Sequence, residues 1–314
     1  MTESAAHRES LPLDSTAQLL TRITTQLGTQ LRHVSLNGTR RPMTPPPHPP
    51  PHQAPYRAHP AAYRALPPPP PTLVAVAHGS RDPGALRTVT ALLERVRELR
   101  PGLDVRLGHI ELNEPLLTGT LADLEPGRAV LVPLLLGRGY HVKYDLPQAA
   151  VTAPHLRIRT AAPLGPHPLL VEALYARLTE AGWTASDSAH RGSGVVLAAA
   201  GSRDPESAAD TRTTAALLGE RLGGVPVLPA YASAASPTVP EALRALAARG
   251  RHRTAVASYF TAPGRFAAQS AAAAPWIASA PLGAHPALAR LLLLRYDQAL
   301  AGRSPAPRRQ LTAA

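Results

Sequence analysis

Two pairs of matching phrases divide this sequence into two copies. LVAVAHGSRDP begins at Leu73 and returns as VVLAAAGSRDP at Val195, and APLGPHPLL at Ala162 returns as APLGAHPAL at Ala280. The copies of the first phrase start 122 residues apart, and those of the second start 118 apart. A nearly constant offset of this size is typical of a tandem duplication, so the chain is predicted to contain one domain built twice.

Within each copy, short apolar runs alternate with amphipathic segments. Runs of small and β-branched residues bounded by Gly and Pro are typical of buried parallel strands, and apolar residues at i, i+3, i+4 and i+7 are typical of helices. The alternation predicts an α/β fold with parallel sheets and right-handed crossovers. The predicted strands are 73–77, 103–110, 129–136 and 156–161, then 195–199, 225–231, 254–260 and 276–279. The predicted helices are 85–100, a short segment ending near Leu124, and 168–181, then 206–222, 238–248 and 286–301.

The predicted organisation has five parts. Residues 1–71 are expected to be a disordered tail rich in Pro and His, because dense proline favours extended polyproline II over a packed core. The other parts are a first domain at 72–183, a linker at 184–194, a second domain at 195–302 and a disordered tail at 303–314. The tail histidines, His48, His52 and His59, could hold a divalent metal loosely. A solvated linker is the favoured interpretation, because unconstrained ligands bind weakly.

Composition excludes several classes of protein. With no cysteine, the chain has no disulfide, no cysteine nucleophile and no cysteine-bound iron–sulfur cluster. A formal net charge of +12 indicates an anionic partner. Nucleic acid is not expected, because Lys143 is the only lysine and aromatic residues make up 4%, too few for a base-stacking platform. The sequence lacks a membrane-length apolar run and a signal-peptide pattern, so a cytoplasmic protein without a membrane partner is expected.

Three residues that can bind a metal follow successive strands of the first copy. His78 ends the first strand, Glu111 ends the second, and His141 follows the third. Because the carboxyl ends of parallel strands meet at the same edge of a sheet, these side chains are expected to converge there. Two imidazoles and a carboxylate suit a borderline divalent ion such as Fe(II), Co(II), Ni(II) or Zn(II). The predicted metal ligands are therefore His78, Glu111 and His141.

The phrases AVAHGSRDP, IELNEP and VPLLLGRGYHVKYDLP, at these separations, resemble the class II tetrapyrrole chelatases, specifically the sirohydrochlorin chelatase family. The resemblance covers roughly residues 73–301 and implies two ferrochelatase-like, flavodoxin-like domains that face each other across a cleft in a monomeric chain. The implied enzyme is a lyase-type metal chelatase that inserts Fe²⁺ or Co²⁺ into sirohydrochlorin and releases two protons, in sirohaem or cobalamin biosynthesis. The metal is then a substrate, and no permanently bound cofactor is expected.

The resemblance also assigns roles to residues. In that family the histidine after the first strand and the histidine of the G-x-H loop hold the metal and take part in proton removal, which here implies His78 and His141. Glu111 falls where the family has an acidic residue near the metal. Histidine suits both tasks, because its ordinary pKa of about 6.5 lies near working pH and its neutral ring binds metals.

Sirohydrochlorin carries carboxylate groups around its rim, and arginine is their natural bidentate partner. A loop flanked by glycines also lets the backbone approach a flat macrocycle closely. Each arginine has the alternative interpretation of an ordinary surface residue in an arginine-rich chain. The predicted substrate-binding residues are Ser80, Arg81, Gly137, Arg138, Gly139, Tyr140, Arg203 and Arg265.

The second copy lacks the candidate ligands. Alignment of the copies places Ala200 opposite His78, Phe266 opposite His141 and Ser233 opposite Glu111. The second copy is therefore predicted to bind the tetrapyrrole as the other wall of the cleft without inserting metal. The alternative is that it serves only to bury the apolar surface of the first domain.

Two other function classes remain open. One is a protein that binds a tetrapyrrole or a metal without turnover. The other is a nucleotide- or phosphate-binding domain that uses GSRDPG as an anion-binding turn. The second is disfavoured because the sequence has neither a G-x-G-x-x-G nor a G-x-x-x-x-G-K-[ST] motif.

Overall fold

The computed structural model describes residues 69–302. The predicted tails lie outside this range apart from residues 69–71, and so do the three tail histidines His48, His52 and His59. In the described part of the chain, no helix combines the length and apolarity needed to cross a membrane.

The first half is a parallel four-stranded sheet with helices on both faces. Its strands lie in the order β2-β1-β3-β4, so each crossover between them passes through a helical segment. Its elements are β1 Thr72–Ala77, α1 Pro83–Leu99, β2 Val105–His109, α2 Leu117–Ala122, β3 Gly127–Pro133, a π-helical turn His141–Asp145, α3 Leu146–Val151, β4 Leu156–Thr160 and α4 Pro168–Glu180.

The second half repeats this sheet after a short connecting helix, α5 Ala185–Ala189. Its parallel strands lie in the order β6-β5-β7-β8, which matches the first half strand for strand. The predicted tandem α/β architecture is confirmed. The elements of this half are β5 Ser193–Ala199, α6 Pro205–Arg221, β6 Val227–Tyr231, α7 Val239–Ala247, β7 Arg253–Tyr259, α8 Arg265–Ala272, β8 Ile277–Ala278 and α9 Pro286–Leu300.

Three segments for which the sequence predicts no helix contain one. The predicted linker 184–194 holds α5, the G-x-H loop after β3 becomes the π-helical turn and α3, and the segment between β7 and β8 holds α8. In the linker, a capping box at Thr184 and Asp187 starts α5 despite the Ser- and Gly-rich composition. Thr184 accepts a hydrogen bond from the N–H of Asp187, whose carboxylate accepts one from the N–H of Thr184.

The first sheet is buried on both faces. Leu73 and Ala75 of β1 belong to a large core that also contains Val195 and Leu197 of β5, so it lies between the two sheets. Alternate residues of β1 face a smaller core beneath α2 and α3. This explains why β1 is a continuous apolar run rather than an alternating one.

The last helix of each half packs on the sheet of the other half. Helix α4 contacts β7, and helix α9 contacts β3 and β4 as well as α1. Arg100, which follows the end of α1, makes two hydrogen bonds to Asp297 of α9, at 2.6 and 2.8 Å. The Tyr296 hydroxyl donates to the carbonyl oxygen of Pro71 at 2.6 Å. We call this arrangement the helix exchange, and it means that each inner sheet face is covered by the opposite half.

Two arginines fix the helix exchange in matching positions. Arg295 of α9 donates to the carbonyl oxygen of Leu164 at 3.0 Å. Arg177 of α4 donates to the carbonyl oxygen of Leu282 at 2.9 and 3.1 Å. Both the arginines and the acceptors are 118 residues apart, which is the offset of the second repeated phrase. The two halves are therefore related by an approximate two-fold symmetry at this interface.

Tyr259, at the end of β7, joins the halves close to the carboxyl edge of the first sheet. Its hydroxyl donates to the carbonyl oxygen of Leu136 at 3.0 Å and contacts the Thr214 hydroxyl at 3.2 Å. Burial raises the pKa of this hydroxyl, so it stays protonated and remains a donor.

We expect Tyr259→Phe to lower the free energy of unfolding by about 1–2 kcal/mol, because the buried carbonyl of Leu136 loses its donor. Urea unfolding followed by circular dichroism measures this change. Tyr144→Phe removes a hydroxyl from an exposed ring and is the matched control, expected to change stability by less than about 0.5 kcal/mol. Equal effects of the two substitutions would contradict the prediction.

Candidate active site

His78 follows β1 at a sharp turn that only glycine permits. Gly79 has a φ of +105°, and a Cβ there would lie 1.8 Å from the carbonyl oxygen of Glu111. The N–H of Glu111 donates to the carbonyl oxygen of His78 at 3.0 Å, and the N–H of Ser80 donates to Asn113 Oδ1 at 2.6 Å. These contacts hold the ends of β1 and β2 together, so His78 and Glu111 lie side by side at the carboxyl edge.

The structure brings His78 and His141 into direct contact although they are 63 residues apart. Their Nε2 atoms are separated by 3.1 Å, and their rings are nearly perpendicular, with an interplanar angle of 88°. His141 begins the π-helical turn after β3, which places its ring over the end of β1. At this distance one Nε2 can donate to the other, or the two nitrogens can direct their lone pairs at one ion, depending on the tautomers.

Each imidazole has a carboxylate on its Nδ1 side. The Nδ1–H of His141 donates to Asp145 Oδ2 at 2.5 Å, and Nδ1 of His78 lies 3.6 Å from Glu111 Oε1. A carboxylate at Nδ1 favours the tautomer with its proton there and leaves the Nε2 lone pair for a metal ion. The two Nε2 atoms therefore converge on one point, with an acid behind each ring.

Burial lowers the pKa of His78, and the neighbouring His141 lowers it further, whereas Glu111 opposes the shift. The His78 side chain nevertheless retains 41% of its exposure, so the site remains open to solvent. A neutral His78 at working pH can bind a cation without first losing a proton.

The spacing of the pair suits two ligands of one ion. At a metal–nitrogen distance of about 2.1 Å, two nitrogens bound at about 90–109° lie about 3.0–3.4 Å apart. The observed 3.1 Å falls within this range. Among residues 69–302, no group of three or more His, Asp or Glu side chains is arranged to hold a metal ion together. The pair therefore leaves most of the coordination sphere open to another molecule.

Glu111 lies where the sequence predicts, at the end of β2, but the structure places it behind His78 rather than beside the converging Nε2 atoms. The Glu111 carboxylate faces Nδ1 of the His78 imidazole. Direct binding of the metal by Glu111 stays a prediction. Asp145 was not identified from the sequence. Asp145 stands four residues after His141, and this spacing brings two side chains together only on a helical turn. The sequence predicts a loop here, so the spacing does not identify Asp145.

Arg138 is already paired in the structure. Its guanidinium donates to both carboxylate oxygens of Asp210 and to Glu206, all in the second half of the chain. A contact between Arg138 and a substrate carboxylate stays a prediction, and it would compete with these bonds. Neither acid was identified from the sequence, because both lie on the face of an ordinary helix, α6.

The remaining predicted substrate residues lie on loops that meet between the halves. Ser80 lies beside Gly264, where a Cβ would be 3.4 Å from the Ser80 hydroxyl oxygen, and Ser202 lies beside Gly139, where the equivalent distance is 3.5 Å. The loop after β1 in each half thus packs against the loop after the third strand of the other half. Three exposed arginines stand on these loops or at the start of α8, namely Arg81, Arg203 and Arg265.

Two tyrosines form an exposed aromatic surface beside His141. The rings of Tyr140 and Tyr144 are stacked, with centroids 4.6 Å apart, and are 61% and 58% exposed. The Tyr140 ring meets His141 edge-on at 6.1 Å. Leu112, next to Glu111, is also exposed. Exposed apolar groups around a polar site are typical of a surface that binds a flat, largely apolar ring.

The second half keeps the backbone of this site without its chemistry. The N–H of Ser233 donates to the carbonyl oxygen of Ala200 at 3.0 Å, which reproduces the contact between Glu111 and His78. Gly201 has a φ of +92°, and a Cβ there would lie 1.8 Å from the carbonyl oxygen of Ser233. The predicted alignment of the two copies is therefore reproduced in three dimensions.

Paired parallel sheets with two convergent histidines at one carboxyl edge define a chelatase-like α/β protein. The CbiX family profile matches residues 72–181 and again residues 194–299, which is more than half of the chain. This chain belongs to the CbiX family.

Curated relatives carry two related names. The sirohydrochlorin ferrochelatase of Bacillus subtilis (strain 168) is 31% identical over 173 residues, which are 53% of this chain and 64% of that protein. The sirohydrochlorin cobaltochelatase of Methanococcus aeolicus is 34% identical over 79 residues, which are 24% of this chain and 55% of that protein. The matched regions thus span less than two thirds of either relative.

Solved structures agree with the fold. SirB from Bacillus subtilis with Fe³⁺ superposes with a TM-score of 0.60 at 25% identity, over 74% of this chain and 96% of that one. The structure of CbiX described as the terminal enzyme for biosynthesis of siroheme in denitrifying bacteria superposes with a TM-score of 0.54 at 22% identity. It covers 74% of this chain and all of the other, and at this identity it shows the fold alone.

We expect His78 of the metal-free protein to titrate below the ordinary histidine value near 6.5, because burial and His141 disfavour its charged form. Glu111→Gln should lower the midpoint further, since the carboxylate stabilises the imidazolium. Proton NMR titration of the imidazole C–H signals measures both. Glu114→Gln is the control and should leave the midpoint unchanged. An upward shift in Glu111→Gln would refute this account of the site.

Proposed function

We propose that this protein inserts Fe²⁺ or Co²⁺ into sirohydrochlorin at the His78–His141 pair. The observation that carries the proposal is the convergence of the two Nε2 atoms, 3.1 Å apart, at the open carboxyl edge of the first sheet. Membership of the CbiX family and relatives named as ferrochelatase and cobaltochelatase support this substrate and these ions.

Metal insertion exchanges protons for an ion, and the pair suits both sides of that exchange. The incoming M²⁺ would be held by the Nε2 lone pairs of the two neutral imidazoles. A macrocycle then binds the ion through its four nitrogens and gives up two pyrrole protons. Each imidazole regains a free Nε2 as the metal leaves and can accept one proton, so the charges balance. The ordinary pKa of histidine lets it pass these protons to water.

An incomplete ligand set favours this turnover. Structural metal sites are closed by a full set of protein ligands, whereas a site with open positions lets another molecule bind the same ion. Glu111 and Asp145 orient the rings from behind and need not bind the metal themselves. The site can therefore hold the ion long enough to present it and still release it to the macrocycle.

The surface around the pair suits the proposed macrocycle. Tyr140, Tyr144 and Leu112 offer apolar contact to its flat face. Arg81, Arg203 and Arg265 are exposed near the meeting loops and can pair with its carboxylates. The helix exchange supports a monomer, because one chain covers the inner faces of both its sheets.

Turnover separates this proposal from a protein that only binds. With sirohydrochlorin and Fe²⁺ or Co²⁺ in large excess over protein, the visible bands should convert in many equivalents per chain. Conversion limited to one equivalent per chain would favour the binding protein instead. No change above the rate without protein would refute the proposal.

We expect His78→Ala and His141→Ala each to lower the rate of insertion by more than about 10-fold, or about 1.4 kcal/mol of barrier, because each removes a ligand and a base. The thermal midpoint should stay near that of the wild type, since both side chains are partly exposed. His155→Ala, at an exposed histidine bonded to the Leu124 carbonyl, is the control. Retention of more than a tenth of the wild-type rate by either variant would exclude its proposed role.

We also expect Arg203→Ala and Arg265→Ala to raise the KM for sirohydrochlorin with a near-normal thermal midpoint, because the second half would bind the tetrapyrrole as the opposite wall. Arg249→Ala, exposed after α7 near the amino edge of the second sheet, is the matched control for charge. Unchanged kinetics in both variants would exclude the wall. A lowered midpoint with unchanged kinetics would indicate a purely structural second half.

A further inference from the structure

The loop that carries His141 is held from the second half of the chain by charged contacts. Arg138 donates to the two carboxylate oxygens of Asp210 at 2.7 and 3.0 Å, and to Glu206 at 2.7 Å. The Lys143 Nζ atom lies 2.6 Å from Asp204 and 2.7 Å from Glu206. We call these five residues the loop clamp. Its two cations stand three residues before and two residues after His141, so they bracket that side chain.

Four of the five loop-clamp residues have uncharged counterparts at the matching positions of the duplicated fold. The fifth, Asp204, aligns with Asp82, which caps α1 by accepting from the N–H of Gly84 and forms no ion pair in the described part of the chain. Alignment of the copies places Pro263 opposite Arg138 and Ala268 opposite Lys143. It places Gly84 opposite Glu206 and Thr88 opposite Asp210. A Cβ at Gly84 would lie 3.3 Å from the Pro263 ring, so these loops pack without an ion pair. The charged contacts therefore occur only around the loop that carries a candidate ligand.

Stability alone does not account for this concentration of charge. Exposed ion pairs contribute about 0–1 kcal/mol each, because water screens them and ordering long side chains costs entropy. The bidentate pair of Arg138 with Asp210 is different in kind, because the Asp210 side chain is 1% exposed and its position is fixed by packing. A buried carboxylate that accepts two hydrogen bonds from one guanidinium fixes the position of that guanidinium, while the net gain in folding stability is small.

We propose that the acidic start of α6 positions His141, so that the second half, which lacks the ligands, sets the geometry of the first half's metal site. This inference rests on the proposed function. Asp204, Glu206 and Asp210 are positioning residues, because they act on His141 through Arg138 and Lys143. Their effect is on the 3.1 Å separation of the two Nε2 atoms, where a displacement of about 1 Å can cost about 100-fold in rate.

The test is the double variant Asp204→Asn/Glu206→Gln in the full chain. It removes both carboxylate partners of Lys143 and one of Arg138 without a change in side-chain size. The introduced asparagine can still cap α6, as Asp204 does by accepting from the N–H of Glu206. Loss of positioning lowers kcat, whereas an Arg138 freed from Glu206 would bind an anionic tetrapyrrole better and lower KM, so the two effects appear in different constants.

Two readouts need no tetrapyrrole. Amide hydrogen exchange should accelerate in residues 137–145, where the N–H groups of Val142 and Lys143 bond to the Gly139 carbonyl. The Kd for Co²⁺, followed by its visible absorption, should rise about 5- to 10-fold. In the insertion assay, kcat should fall about 10-fold, and KM should not rise. The thermal midpoint should stay near that of the wild type.

Glu172→Gln is the matched control. It breaks the pair between Glu172 and Arg221, which also joins the halves but stands at the opposite end of α6. This variant should match the wild type in exchange, Co²⁺ affinity and kcat. Wild-type exchange and affinity in the double variant would overturn the proposal, and so would equal effects of Glu172→Gln.

A second variant, Lys143→Met, tests the same contacts from the loop side. It removes an exposed charge without threatening the fold, and it should accelerate amide hydrogen exchange in residues 137–145 as the double variant does.

Failure of the proposed function is distinguishable from failure of the positioning role of the loop clamp. If the wild type inserts no metal while exchange and Co²⁺ affinity respond as described, the proposed function is wrong and the positioning role stands.

Discussion

The need to bury the inner faces of two parallel sheets is the constraint on which the rest of this structure depends. Helix α9 supplies fully buried leucines to the core between the sheets, among them Leu288, Leu291 and Leu292. A fully buried leucine contributes about 1.5–3 kcal/mol, so three of them approach the net stability of a domain, about 5–15 kcal/mol. Because the last helix of each half covers the inner sheet face of the other half, the two sheets are held with their carboxyl edges together. That arrangement brings loops of opposite halves into contact, with Ser80 beside Gly264 and Ser202 beside Gly139.

The candidate site balances opposing electrostatic effects on one imidazole pair. Burial and His141 lower the pKa of His78, whereas Glu111 and Asp145 oppose that shift. His78 and His141 both remain partly exposed, so the pair stays accessible from solvent. A site with stronger burial would bind a cation poorly, and one with a full set of carboxylates would retain it. The intermediate case suits a metal ion that must be passed on.

Much of the fold could be predicted from the sequence, because duplication and strand composition are local signals. The meeting of His78 and His141, with Glu111 next to His78, followed from the rule that parallel strands end at one edge. Asp145 was missed because its spacing from His141 has meaning only in a helical turn, and glycines on one side with a proline on the other suggest a loop. The helix exchange was also missed, since periodicity shows that a helix face is apolar but not which sheet covers it. Likewise, an arginine such as Arg138 gives no sign in sequence of whether it will meet a substrate or a distant carboxylate.

The helix exchange also bears on how such a gene can change. A duplicated copy that has lost its own chemistry can usually be deleted without harm to the first. Here the second copy has lost its candidate ligands, with Ala200 and Phe266 in their places, yet its deletion would remove α9 from β3 and β4. Substitutions at these two former ligand positions are therefore expected to be tolerated more readily than truncation of the second copy. The second copy can lose its own metal site, but the first copy cannot fold without the last helix of the second.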